Sequence, residues 1–258
     1  MLISKEEIIK YLKNVPPVPE NVKNALSALD EGDLKKAATE ASNDLVLKKR
    51  IQSVVNSAYY GLSHKVEDMI QLFAMLGCEK SRSLIYSYLV SLLEPREWKI
   101  FKIDFFEFQA AFMGEFEKYM TLEFDEKTYK MYAEIGAVIP AAVCVCDSLL
   151  GEKKDDVELV MSSAPLEYST LIKRMTGVSL FGLAGKIAEI WGLEKEKSDI
   201  LKAAECDNCK NKISALTHFV FFMLVSKKQF LDLNSLIEFK PECTELIPKT
   251  YERIINDS

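Results

Sequence analysis

The sequence predicts an all-α fold, and three observations carry that prediction. Apolar residues recur at three- and four-residue spacing from one end of the chain to the other. No stretch keeps the period of two that a half-buried strand needs. Turn-forming residues are scarce: 10 Gly and 8 Pro in 258 residues, each below the ordinary share of about 7% and 5%. A sandwich or barrel needs a turn at every hairpin and would use more of both.

The elements follow in order. Ser4 and Glu7 form a capping box ahead of Ile8, Ile9 and Leu12. Pro16, Pro17 and Pro19 then force an extended elbow. Val22, Ala25, Leu26 and Leu29 share one face of the next helix, which Gly32 ends. Asp33 and Asp44 stand where the N-caps of two further helices belong, since a carboxylate accepts the free first-turn N–H groups. Leu47, Ile51, Val54 and Val55 give the second of these its apolar face, up to the loop at Ala58-Tyr59-Tyr60-Gly61. Val66 to Ala74 continue the period to Gly77, and Leu84, Ile85, Leu89 and Leu92 carry it to Pro95. Phe105, Phe108, Phe112 and Phe116 space the aromatic stretch 101–119 as a helix. A long helix is expected from Asp125 to Gly151, kinked at Pro140, which deletes one N–H bond. Further helices are expected near 155–161, 166–175, 183–190, 197–205, 212–226 and 231–239. The least apolar joint, Glu94-Pro95-Arg96-Glu97, divides the chain into an N-terminal lobe, 1–95, and a second lobe, 96–258, expected to form one unit together.

Apolar residues make up 48% and charged residues 28%, with a net charge of −6. This is the mix of a globular protein, and it lacks the concentrated basic face that a nucleic-acid backbone requires. Lys5 and Glu6 interrupt the opening residues too early for a signal peptide. The longest uncharged run, Ile213–Ser226, is shorter than the ~20 apolar residues that span a bilayer and reads as a buried core helix. The expectation is a cytoplasmic protein with reduced thiols and neither nucleic acid nor membrane as partner.

Three motifs stand in register over residues 15–90: Val15-Pro16-Pro17-Val18-Pro19, then Asn56-Ser57-Ala58-Tyr59-Tyr60-Gly61-Leu62, then Leu76-Gly77 with Ser81-Arg82-Ser83-Leu84. They resemble the "LPPLP" entry, the "NSAxYG" segment and the "LG…LRNL" stretch of the HDOD (HD-related output domain) family. Farther on, 133–138 resembles the family's "AxxAGLLHDIG" helix, and Gly177 through Trp191-Gly192-Leu193 its "G…W.LP" segment. Ser53 stands where a basic residue is frequent. The resemblance covers about residues 10–205. It implies an all-helical, degenerate relative of the HD phosphohydrolase domain that serves bacterial signalling as a regulatory module without established catalysis.

HD phosphohydrolases gather His and Asp side chains on a metal, because hydrolysis needs a Lewis acid and an activated water. The only histidines are His64 and His218, and neither precedes an Asp. Aligned through Gly136, the family's His-Asp slot holds Ile139 and Pro140, its later histidine slot Leu180, and the paired slot Ala204 and Glu205. The resemblance thus implies a vestigial pocket at these five positions. No catalytic residue, bound metal or other cofactor is assigned. His64 reads as a solvated loop residue, and His218, among Phe219, Phe221 and Phe222, as a buried, singly hydrogen-bonded imidazole. Gly182-Leu183-Ala184-Gly185-Lys186 mimics part of a phosphate loop but has no preceding strand, so its glycines are read as helix-packing positions.

Cys206 and Cys209 form a C-x-x-C, and Cys144 and Cys146 a C-x-C, beside the positions aligned with the pocket. Residues two apart on a helix point about 200° apart, so Cys144 and Cys146 could not share an ion without unwinding. Buried thiols and an incidental C-x-x-C are the favoured reading; a metal or redox site on these four is the lesser one.

The functional expectation is a non-enzymatic signal-transduction module that binds an unidentified signalling partner in trans, or a small ligand in the former pocket. Asn56, Ser57, Tyr59, Tyr60 and Gly61 are the candidate partner-binding residues, Tyr being favoured in interfaces. A tight helix–helix corner that maintains the fold is the competing reading of that segment. A divergent HD-type metal-dependent phosphohydrolase is the alternative function, and a cysteine-based metal or redox sensor the third.

Overall fold

The computed structural model describes residues 3–56, 64–95, 97–100, 105–163, 168–206, 209–225 and 242–257. Helices run in the order α1 (Lys5–Leu12), α2 (Glu20–Asp30), α3 (Leu34–Ser42), α4 (Leu45–Val55), α5 (Met69–Ser91), α6 (Phe105–Glu123), α7 (Glu126–Tyr132), α8 (Ile135–Gly151), α9 (Lys154–Ser163), α10 (Tyr168–Thr176), α11 (Leu180–Ile190), α12 (Lys195–Ala203), α13 (Lys212–Val225) and, after a 3₁₀ turn at Thr244–Leu246, α14 (Pro248–Asp257). No strand occurs among the described residues. The helix expected at 231–239 and the first four residues of the aromatic stretch lie outside them.

The chain divides into two compact units, Pro17–Leu92 and Met1–Pro16 with Leu93–Ser258. The sequence-based lobe 1–95 differs from this at its start, because α1 groups with the larger unit. Ile3 N–H donates to the Met175 carbonyl at 2.9 Å, and Ile8 is buried. Such long-range contacts leave no mark on the local pattern of α1.

In the smaller unit α2 and α3 pack together, and α5 lies against α2, α3 and α4. Asp44 organises one end of it. Its Oδ1 accepts the Val46 and Leu47 N–H groups at 2.9 Å each, capping α4, and its Oδ2 accepts the Tyr88 hydroxyl of α5 at 2.8 Å. Helix α5 breaks at Gly77, whose φ of 73° and ψ of 175° suit glycine and almost no other residue.

Burial and the Asp44 carboxylate push the Tyr88 hydroxyl up from 10.0 to about 12. A raised pKa makes the bond's contribution full below the ordinary tyrosine range and lost as pH climbs through the folded value. Tyr88→Phe is therefore expected to cost about 1.5–3 kcal/mol at neutral pH, the worth of a hydrogen bond to a charged group. In urea melts the gap between the two proteins should narrow as pH approaches the folded value. A gap unchanged across that range would contradict the assignment.

In the larger unit α8 is buried along nearly its whole length and packs against α6 and α11, while α13 lies against α6 and α12. Phe108, Phe112 and Phe116 form a ladder on α6 with ring centroids 6.2 and 6.1 Å apart. Tyr119 meets Phe219 edge to face at 6.4 Å. The expected long helix from Asp125 to Gly151 is instead two, α7 and α8. The chain tightens at Ala133–Glu134, where Gly136 and Ala137 N–H bond the carbonyls three residues back. Pro140 itself lies inside α8, which runs on through it, so the break stands upstream of the expected kink.

Glu123, at the end of α6, accepts the Thr250 N–H of α14 at 2.7 Å and lies 2.7 Å from the Lys212 ammonium. Burial raises its carboxyl, but Lys212 and Thr250 outweigh that and hold it below the ordinary range.

Candidate functional site

The positions aligned with the HD metal slots are closed. Ile139, Leu180 and Ala204 have no exposed surface at all, and Pro140 is buried beside Ile139 on α8, so no water-sized cavity touches the first three. Glu205 is half-buried, and its carboxylate pairs with Lys173 at 3.1 Å. A divalent ion needs nitrogen, oxygen or sulfur donors, and the side chains of Ile, Pro, Leu and Ala supply none. One carboxylate already held by a lysine does not fit an HD-type metal. Of the five positions of the expected pocket, Ile139, Leu180 and Ala204 are packed among other side chains, while Glu205 keeps part of its surface. A shallow hollow of about 470 Å³ lies elsewhere, open to solvent and lined by Lys195, Glu196, Asp199, Ile200, Ala203 and Asn211.

His218 is where the sequence placed it. It is buried, its Nδ1 lies 2.8 Å from the Ala204 carbonyl, and its ring packs against Phe181 and Phe222 with centroids 5.8 and 4.6 Å away. A carbonyl partner fixes Nδ1 as the protonated nitrogen. His64 is exposed. The phosphate-loop mimic is the interior of α11, where a Cβ on Gly185 would stand 2.6 Å from Lys202 Cγ and 3.0 Å from the Ser198 carbonyl. Glycine here lets α11 and α12 approach, and the Ser198 hydroxyl donates to the Gly185 carbonyl at 3.0 Å.

Of the candidate partner-binding residues, Ser57, Tyr59, Tyr60 and Gly61 lie outside the described residues. Asn56, the last before them, acts as a clamp. Its Nδ2 donates to the Gln52 and Val66 carbonyls at 2.8 Å each, and its Oδ1 accepts the Val66 N–H at 2.7 Å. Gln52 adds a bond to the Glu67 carbonyl at 2.7 Å. The asparagine side chain thereby mimics a strand partner and ties residue 56 to residue 66. Its amide groups are committed to the fold, which assigns Asn56 to positioning the segment. On the same helix, Leu45 and Val46 are 62% and 63% exposed, an uncovered apolar pair that the sequence pattern of α4 did not single out.

The cysteines regroup. Cys144 and Cys146 are fully buried on α8, and burial pushes the Cys144 thiol well up. Cys206 and Cys209 are joined by Cys243, to which the sequence had assigned no role: the three sulfur atoms all lie within 4.8 Å of one another. The S–H of Cys206 lowers the Cys209 thiol to about 7 and is itself held protonated by the bond to Cys209.

Compared with known proteins, the HDOD domain family model matches residues 12–107. No curated protein matches the sequence. Among solved structures, an HDOD domain protein with unknown function from Geobacter sulfurreducens is similar at a TM-score of 0.69 and 15% identity, covering 95% of this chain and 85% of that one. The "putative metal-dependent phosphohydrolase" of Shewanella amazonensis SB2B is similar at 0.54 and 14% identity, covering 96% and 87%. At such identities the likeness establishes the fold, an all-helical one shared with HDOD and HD-like proteins.

Proposed function

We infer that this chain, with an HDOD domain matched over residues 12–107, is a regulatory module that works by binding another signalling protein in the cytoplasm and not by hydrolysis. One observation carries the reading: the positions that the resemblance aligns with the HD metal slots hold Ile139, Pro140, Leu180 and Ala204, packed without accessible surface at three of these four, and Glu205, whose carboxylate is paired with Lys173. The uncovered Leu45–Val46 pair on α4, the helix leading into the Asn56–Gly61 motif, supports a protein as the partner, since an exposed apolar pair gains by being covered. The net charge of −6 disfavours a nucleic acid.

The test is capture from the native host followed by reconstitution with the purified partner. Leu45→Asp with Val46→Asp, and separately Tyr59→Ala with Tyr60→Ala, are each expected to weaken the reconstituted complex at least about tenfold, a loss of ~1.4 kcal/mol. Each variant's helical content is checked by circular dichroism. Undiminished affinity in both correctly folded variants would overturn the assignment of this face.

A further inference from the structure

We propose that Cys206, Cys209 and Cys243 form a binding site for a thiophilic divalent cation, zinc above all. The three sulfurs lie mutually within 4.8 Å, and all three cysteines are free of disulfides. Around one tetrahedral zinc with Zn–S bonds of about 2.3 Å, sulfurs stand about 3.8 Å apart, so ligation needs only a small contraction. A disulfide would use two of the three and leave the third unexplained. The backbone is shaped to bring them together: Cys206 and Cys243, at φ of 61° and 55°, are the non-glycine residues with positive φ among the described residues. Such conformations persist where surrounding structure holds them. Cys243 Sγ also reaches the Cys206 carbonyl at 3.8 Å, and Cys209 Sγ the Asn211 carbonyl at 3.4 Å.

The fourth coordination position falls to water or to a carboxylate. The charge of Glu245 bears on both Cys209 and Cys243. The ion would join the corner after α12 to the turn that leads into α14, a link between residues distant in sequence. Thiolate ligands must lose their protons on binding, so loading releases protons and strengthens with pH. The site is independent of the partner-binding reading and of the HD slots.

The test uses the full chain, reduced, stripped with a chelator and titrated anaerobically with Co²⁺. A sulfur-to-cobalt charge-transfer band with tetrahedral d–d absorption is expected, saturating at one equivalent and displaced by Zn²⁺. Cys206→Ser, Cys209→Ser and Cys243→Ser should each weaken binding at least about tenfold, while Cys144→Ser with Cys146→Ser leaves it unchanged. The unsubstituted protein keeps the test decisive if a variant misfolds: absence of the charge-transfer band there overturns the proposal. So would a Cys243→Ser protein that binds cobalt as tightly as the original.

Discussion

Replacing Glu134 with Ala is expected to destabilise the protein by about 3–5 kcal/mol, because it strands a buried ammonium. Glu134 is 5% exposed and Lys197 9%, and their charged atoms meet at 3.1 Å, tying the entry of α8 to α12. Glu194, the other acid near Lys197, is mostly exposed and 4.0 Å away, too solvated to compensate. A buried pair gains little over well-packed apolar residues, whereas half a pair is costly. The double variant Glu134→Leu with Lys197→Met should therefore recover most of the loss. Urea unfolding of the single and double variants measures the coupling directly. A single variant within about 1 kcal/mol of the original, the range of a solvated pair, would show that the pair is open to water.

The second large effect is expected at Asp147. Its carboxylate is fully buried on α8 and accepts the Ile100 N–H at 2.8 Å and the Lys99 N–H at 3.1 Å. Asp147→Ala removes the acceptor for one buried and one partly buried donor, at about 1–3 kcal/mol each. A total loss of about 2–6 kcal/mol follows from those two. Asp147→Asn, keeping one oxygen, should lose less. Amide hydrogen exchange locates the effect: Ile100 should lose protection first in Asp147→Ala, and an Ile100 amide as protected as before would contradict the role given to Asp147.

Local rules carried much of the fold. Ser4, Asp33 and Asp44 cap the helices they precede because a cap is a contact between residues two or three apart and is written in adjacent letters. Gly77 breaks α5 for an equally local reason. The misses are long-range. Asp147 reads as a charge on an apolar helix until residues 99–100 are brought to it. Cys243 lies 34 positions beyond Cys209, with nothing in its own neighbourhood to mark it as a partner. The expected kink at Pro140 did not mark the break, which falls at Ala133–Glu134 between α7 and α8. At the positions aligned with the HD slots, the lack of donor side chains at Ile139, Pro140, Leu180 and Ala204 was plain from the letters, whereas their burial depended on how α8 and α11 pack.

The function proposed for this helical chain is regulation by binding, without hydrolysis. Its most direct test is phosphate release by the full chain, supplied in turn with Mg²⁺, Mn²⁺, Fe²⁺ and Zn²⁺, from a panel of phosphomonoesters, phosphodiesters and nucleotides. No metal-stimulated release above a protein-free control is expected with any combination. Metal-dependent turnover that co-purifies with the chain and persists in Cys209→Ser, so that the cysteine cluster is not its source, would contradict it.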